Sequence, residues 1–517
     1  MGNKRWLTLT LLLGMSCPAA WASEKEQLET LHQTTLNLIK MLVQRGTLSQ
    51  NDADQLIREA EKSAAATVAA QAKSETNGTA KSDAKVVRVP YVPEVVRREI
   101  TEQIKQEVLA QAKGERWGEP GALPSWLSRI SWDGDIRLRY QQDRFSKDNI
   151  PPSLYNPVGL NVISNTTEDR NRLRLQARLG MKAKVSDSIT ALFRMTTGNL
   201  TDPVSTNQTL GNGFNKYSLL FDRAYLQAEP YNWLTLSGGK IANPWFGTDL
   251  VWDTDLNFEG LAATFKPKLN EQWNGFFTIG AFPVQEIERS DTVGANSKWL
   301  FGYQLGTQWT SANSSTIKLG LGLYDYRNVE GIPNTSFGSH TNDKTAPQST
   351  QKGNSLMFVS FPGDPNLYGL ASKFKELNLT GEVDLATLDP VHVIVSGDYV
   401  KNIGFDREEI LKRTGQDIEP KTKGYQAKLS VGMPKIQLPG EWQAFITYKY
   451  LERDAVLDLM TDSDFHLGGT NAKGYIIGAN YGIAKNTSLG LRWLSANQIE
   501  GPPLAIDVLQ LDLSAKF

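Results

Sequence analysis

The chain has 517 residues, with 55 Lys and Arg against 56 Asp and Glu, a balance that gives no electrostatic reason to expect a nucleic-acid partner. Mean hydropathy is −0.37. Beyond the first two dozen residues no apolar run approaches the roughly 18 needed for a membrane helix, which excludes a helical membrane bundle but not a barrel, whose strands need apolar residues only at alternate positions.

The first segment reads as a signal peptide over residues 1–22. Lys4 and Arg5 form its basic start, Trp6 to Met15 its apolar stretch, and Ala20-Trp21-Ala22 a small-x-small cleavage site before Ser23. Cleavage would remove two of the 55 positive charges and leave 53 against 56, a net of −3. The sole cysteine, Cys17, falls within this segment, so the exported chain is expected to hold no disulfide and no thiolate metal site.

Residues 23–73 show helical spacing: Leu28, Leu31, Thr35, Leu38 and Leu42 recur at three and four, the seam of a coiled coil or of a helical hairpin. Gly46 interrupts the pattern, and Ser49 with Asp52 reads as a capping pair opening a second helix. Residues 74–85 (SETNGTAKSDAK) have the composition of a flexible linker. Residues 86–128 then open on an extended entry set by Pro90 and Pro93 and continue in a helix whose face is lined by Val95, Val96, Ile100, Ile104 and Val108. Such a helical or coiled-coil region would lie on the periplasmic side, where it could meet the cell wall.

From Arg129 to the last residue the period is two. In RISWDGDIRLRYQ, Ile130, Trp132, Ile136, Leu138 and Tyr140 alternate with Arg129, Asp133, Asp135, Arg137 and Arg139. Leu173, Leu175, Ala177 and Leu179 alternate with Arg172, Arg174, Gln176 and Arg178. About sixteen such segments follow, joined in turn by tight links (VSDS, PYN, SAN, IAKN) and long ones. That predicts an all-β transmembrane barrel over residues 129–517, about 16 antiparallel strands in all, with the helical region in front and both barrel ends in the periplasm.

A soluble sandwich shares the alternation, so strand length decides between them. Trp299 and Trp309 share a face ten residues apart, about 33 Å along a strand; tilted about 40°, that is close to the ~25 Å lipid-facing band between aromatic girdles. Inward Gly302, Gln304, Gly306 and Gln308 are then expected to border water. The closing strand alternates through Leu509, Leu511 and Leu513 to a terminal Phe517.

These segments resemble a known family, the putative porins of Gram-negative bacteria. The likeness rests on RVPYVPEVVRREI, ERWGEPGALPSWLSRISWDGDIRLRY, NRLRLQARLG, FDRAYLQAEP, GGKIANPWFGTDLVWDTDLNFEG and the strand to Phe517. It implies an outer-membrane, trimeric diffusion channel that needs no cofactor, sits among outer-membrane lipids, and presents Phe517 as a signal to the barrel assembly machinery.

A pore works through its width and wall charge, and two groups follow from that. Arg137 and Arg139 on the first strand, with Arg172, Arg174 and Arg178 on the second, would form an inward basic ladder that guides anions or is simply neutralised by neighbouring acids. Ile241 to Asn257, the third long connection, holds Asp249, Asp253 and Asp255 between tryptophans. The resemblance to porins, whose corresponding loop folds into the barrel, makes this segment a candidate constriction loop, the alternatives being a solvated external loop or a calcium site, since carboxylates two apart can share a hard cation.

Enzymatic chemistry finds little support. His392 and Ser396 share a face but stand four residues apart on one strand, roughly 13 Å, too far for a hydrolytic pair. No phosphate loop or HExxH helix occurs. A ligand-gated iron-complex receptor would need a larger folded plug than the preceding helical residues supply. A structural or adhesive protein that tethers the envelope through its helical arm is the competing function.

Overall fold

The structure, a computed structural model, describes residues 102, 105–110, 129–156 and 163–517. Two units divide at Gly118. In the first, residues 105–110 are helical and exposed. The expected signal segment, coiled-coil arm and linker, and most of residues 86–128, lie outside the described residues. No helix among the described residues is long and apolar enough to cross a membrane.

The second unit is a closed antiparallel barrel. Its strands are β1 (Ile130–Phe145), β2 (Arg170–Lys184), β3 (Ile189–Thr196), β4 (Leu220–Tyr231), β5 (Leu234–Ala242), β6 (Asn257–Phe265), β7 (Trp273–Gln285) and β8 (Lys298–Thr310). They continue with β9 (Thr316–Arg327), β10 (Lys375–Leu388), β11 (Val391–Asn402), β12 (Lys423–Gly432), β13 (Trp442–Leu451), β14 (Ala472–Ala484), β15 (Thr487–Gln498) and β16 (Ala505–Lys516). Each pairs with its sequence neighbours, and β1 closes on β16 with Asp135 opposite Lys516 and Phe145 opposite Ile506. Closure pairs the backbone groups that an open edge would leave to hydrocarbon, where each would cost several kcal/mol.

The tight links turn where their residues permit it. Asn486, in the two-residue turn from β14 to β15, has φ 54°, a left-handed conformation that asparagine tolerates. The long connections gather at the opposite end, the longest covering 328–374.

Burial runs opposite to that of a soluble barrel. Trp132 and Leu173 are 59% and 58% exposed, whereas Arg139 and Gln176 are 1% and 2% exposed. Outward side chains are apolar and inward ones polar, which places hydrocarbon outside. Phe517 closes the seam through reciprocal backbone bonds with Gly134, at 2.9 and 3.0 Å. Its ring occupies the space a Cβ on Gly134 would need, so glycine there lets the terminal aromatic lie flat on β1.

Candidate pore and its inward loops

The connection between β5 and β6, residues 243–256, turns into the barrel because its composition suits neither water nor the open mouth. Trp245, Leu250, Val251, Trp252 and Leu256 are all buried, each such side chain contributing roughly 1.5–3 kcal/mol on leaving water. They join Phe258, Phe282, Leu300 and Tyr324 from the inner wall in one apolar cluster. Trp245 meets Phe258, Phe282 and Tyr324 edge-on with ring centroids 6.4, 6.1 and 5.2 Å away.

This corrects the expectation that Gly302, Gln304 and Gly306 border water. The Trp245 ring fills the space a side chain on Gly302 would take, and Phe276 does the same at Gly306. Gln304 clamps the loop backbone: its Oε1 accepts from the Phe246 N–H at 2.8 Å and its Nε2 donates to the Phe246 carbonyl at 2.6 Å. On β11, Asp398 accepts from the Thr248 N–H and hydroxyl at 3.1 and 2.8 Å. At Gly302, Gln304 and Gly306 of β8 the inner wall is therefore covered by protein, and the two glycines are seats for rings.

A second loop, 452–471 between β13 and β14, enters beside the first. The Asp253 N–H donates to the Met460 carbonyl at 2.8 Å, the Ser463 N–H to Asp253 Oδ2 at 2.8 Å, and the Thr461 hydroxyl to the Leu250 carbonyl at 2.8 Å. From β13, the buried Lys449 Nζ reaches Asp249 Oδ1 at 3.2 Å and Asp462 Oδ2 at 2.8 Å. Sequence reasoning missed this loop. Its Asp462-Ser463-Asp464 spacing resembles Asp253-Thr254-Asp255, but nothing local marks it as inward.

The structure thus separates the three loop acids. Asp249 belongs to the Lys449 pair, and Asp253 lies between the loops. Burial and the neighbouring Asp462 push the Asp253 carboxyl up to about 8, against the N–H bonds from Asp255 and Ser463. Only Asp255 meets the basic ladder, at 3.1 Å from Arg178. Among the described residues no group of three or more His, Asp and Glu could hold a metal ion.

The five ladder arginines share the inner face of β1 and β2, with Arg139 opposite Arg174 and Arg137 opposite Gln176. Their neutralisation is uneven. Arg139 meets both Asp512 oxygens at 2.7 and 2.8 Å and Asp464 at 3.1 Å. Burial would raise the Asp464 carboxyl, but the charges of Arg139, Arg492, Arg137 and Arg174 override it and hold it well below the usual carboxylate range. Arg172 pairs with Asp143 at 2.6 Å, and Arg178 with Asp135 at 2.8 Å. Arg137 and Arg174 meet no carboxylate among the described residues: Arg137 donates to Asn207 at 2.7 Å, and Arg174 to Gln141 and Ser205 at 3.1 and 3.4 Å.

Open space lies against these arginines. A cavity of about 550 Å³ is lined by Arg170, Arg172, Arg174, Gln141, Asp202 and Lys352 among others. A second, of about 610 Å³, reaches Asp222, Asp255 and Lys298 and shares Asp202 and Ser205 with the first. His392, the residue weighed for hydrolysis, instead faces Asp384 at 2.7 Å and Asp389 at 3.5 Å.

A family model described as "Putative porin" matches residues 32–517. No curated protein sequence matches the chain. Among solved structures, the chain is similar to OprB of Pseudomonas putida at high pH, with 10% identity over 77% of this chain and 96% of that one, TM-score 0.44. It is also similar to the outer-membrane channel DcaP of Acinetobacter baumannii, with 11% identity over 75% and 97%, TM-score 0.40. Salmonella typhi OmpF, in complex with daunomycin, gives 10% identity over 75% and 97%, TM-score 0.40.

Proposed function

The chain belongs to the porin family that this model describes and is an outer-membrane β-barrel channel; on that premise we propose that it conducts small hydrophilic solutes passively and favours anions. One observation carries the anion preference. Arg137 and Arg174 present guanidinium groups without a carboxylate partner among the described residues, and Arg174 borders open space. Pairing silences Arg139, Arg172 and Arg178 as fixed charges, so these two set the sign of the local field. The loop carrying Asp249, Asp253 and Asp255 narrows the path from the opposite side.

The driving force is the solute gradient, and no cofactor or bond-breaking step enters. Replacing Arg137 and Arg174 with Gln, then measuring reversal potential across a salt gradient in a planar bilayer, tests the reading. A shift toward cations is expected, and an unchanged potential refutes the preference. A homotrimer, a cleaved signal segment, a periplasmic arm contacting the cell wall, and recognition of Phe517 by the assembly machinery are parts of the same proposal. They rest on the sequence and the family.

A further inference from the structure

The outer wall of β11 to β14 repeats one vertical order of side chains. On β11 the chain runs toward the long-loop end and reads Tyr399-Val400-Lys401; β12 and β14 run the other way and read Lys423-Gly424-Tyr425 and Lys473-Gly474-Tyr475. The reversal of sequence with strand direction puts tyrosine nearer the hydrocarbon and lysine nearer the long-loop end on all three strands. That end of an outer-membrane barrel faces outside.

The tyrosines form a continuous band. Tyr399 is opposite Tyr425, Tyr425 opposite Tyr450, and Tyr448 opposite Tyr475. Tyr425 stacks on Tyr450 with centroids 5.0 Å apart, and Tyr448 lies 5.0 Å from Tyr475. Such a band marks the level where acyl chains give way to headgroups. Lys401, Lys423 and Lys473 are exposed above or at its upper edge, where long cationic side chains reach headgroups while their stems cover apolar surface.

Their charges are arranged at a cost. Lys401 registers opposite Lys423, and like charges directly opposite on one sheet face repel. None of the three lysine side chains has an acidic partner among the described residues. The nearby Glu452 carboxylate is engaged by the Lys423 backbone N–H at 2.8 Å and the Tyr450 hydroxyl at 3.4 Å, and Lys421 is paired with Glu500 at 2.5 Å. Elsewhere on the outer wall bases face acids: Lys240 meets Glu259 at 2.6 Å, Arg327 meets Asp325 at 2.5 Å, and Arg144 registers opposite Asp507.

We propose that Lys401, Lys423 and Lys473, above the tyrosine band of β11–β14, form a binding site for the phosphate groups of an anionic lipid of the outer leaflet. A multiply charged phosphate headgroup would relieve the Lys401–Lys423 repulsion, and its acyl chains would descend over Tyr399, Tyr425 and Tyr475 to the apolar wall. The site lies on the opposite side of the wall from the conduction path and does not depend on the anion preference proposed above.

The test uses the exported full-length protein in detergent, with a diphosphorylated glucosamine glycolipid as probe and bound lipid read by native mass spectrometry. The K401Q/K423Q/K473Q variant should bind about a hundredfold more weakly, the combined loss of three charges near a headgroup. K240Q, which alters a base already paired, should bind like the parent. The dephosphorylated glycolipid should bind parent and triple variant equally weakly, and inorganic phosphate should not displace the lipid. Unchanged single-channel conductance of the triple variant verifies that the barrel is intact. Equal retention of the diphosphorylated lipid by parent and triple variant, retention of the dephosphorylated lipid by the parent as strong as that of the diphosphorylated one, or displacement by inorganic phosphate would each overturn the proposal.

Discussion

Arg178 on β2 holds Asp135 of the neighbouring strand at 2.8 Å and Asp255 of the inward loop at 3.1 Å. One guanidinium thus fastens the far end of the 243–256 loop to the wall that carries the arginine ladder. Its middle, at Thr248 and Asp249, is fixed across the barrel by Asp398 on β11 and Lys449 on β13. A loop held at both points cannot swing out without breaking charge-assisted bonds, each of which contributes roughly 1.5–3 kcal/mol. Deleting Ile241 to Asn257 should therefore raise single-channel conductance severalfold in a planar bilayer, and an unaltered step size would remove the loop from the path.

Two neighbouring arginines should respond differently to the same substitution. Arg139 is buried in a bidentate pair with Asp512 and also reaches Asp464. Removing it strands those carboxylates, so R139Q should lose roughly 3–5 kcal/mol of stability. R174Q breaks no ion pair and should cost under about 1 kcal/mol while shifting reversal potential toward cations. Denaturant titration of both variants beside their ion selectivity checks the contrast.

Seating of the loop on glycine makes a steric prediction. A side chain at Gly302 would occupy the space of the Trp245 ring, so G302V should displace the loop and cost about 1–3 kcal/mol through overpacking. W245A should release the same loop by losing its anchor, with roughly 3–5 kcal/mol lost. Both variants should show noisier or larger conductance steps. Quiet steps of parental size in both would contradict the seating.

The contact between the two inward loops should weaken in base. The Asp253 carboxyl titrates at about 8, raised from 3.8 by burial and by Asp462. Because its folded value lies above its unfolded one, its contribution is complete below about pH 4 and is lost as pH rises through 8. Ionisation would set Asp253 against Asp462 and Asp255, which Lys449 and Arg178 already engage. Channel noise or conductance should rise between pH 7 and 9 in the parent. D253N should flatten that rise, and a rise that persists in D253N assigns it to another group.

Much of the wall was legible because a strand's two faces are written locally. Leu173 and Arg174 declare opposite surroundings without reference to any distant residue, whereas the inward turn of 243–256 was only one of three readings and came from the family resemblance. Gly302 was misread for the complementary reason. A glycine facing inward looks like free space until its occupant is known, and Trp245 comes from another strand connection. The entry of 452–471 was hidden in the same way: Lys449 meets Asp249 two hundred residues away, and no periodicity carries a pairing of that range.

The claim on which all of this depends is that Arg174 faces water and Leu175 faces lipid. Cys17 is the chain's only thiol, so R174C and L175C can each be treated with a charged, membrane-impermeant methanethiosulfonate while single channels are recorded. The structure predicts that the reagent lowers the step conductance of R174C and leaves L175C unchanged. Block of L175C with R174C unaffected, or an absence of discrete steps in the parent protein, would contradict it.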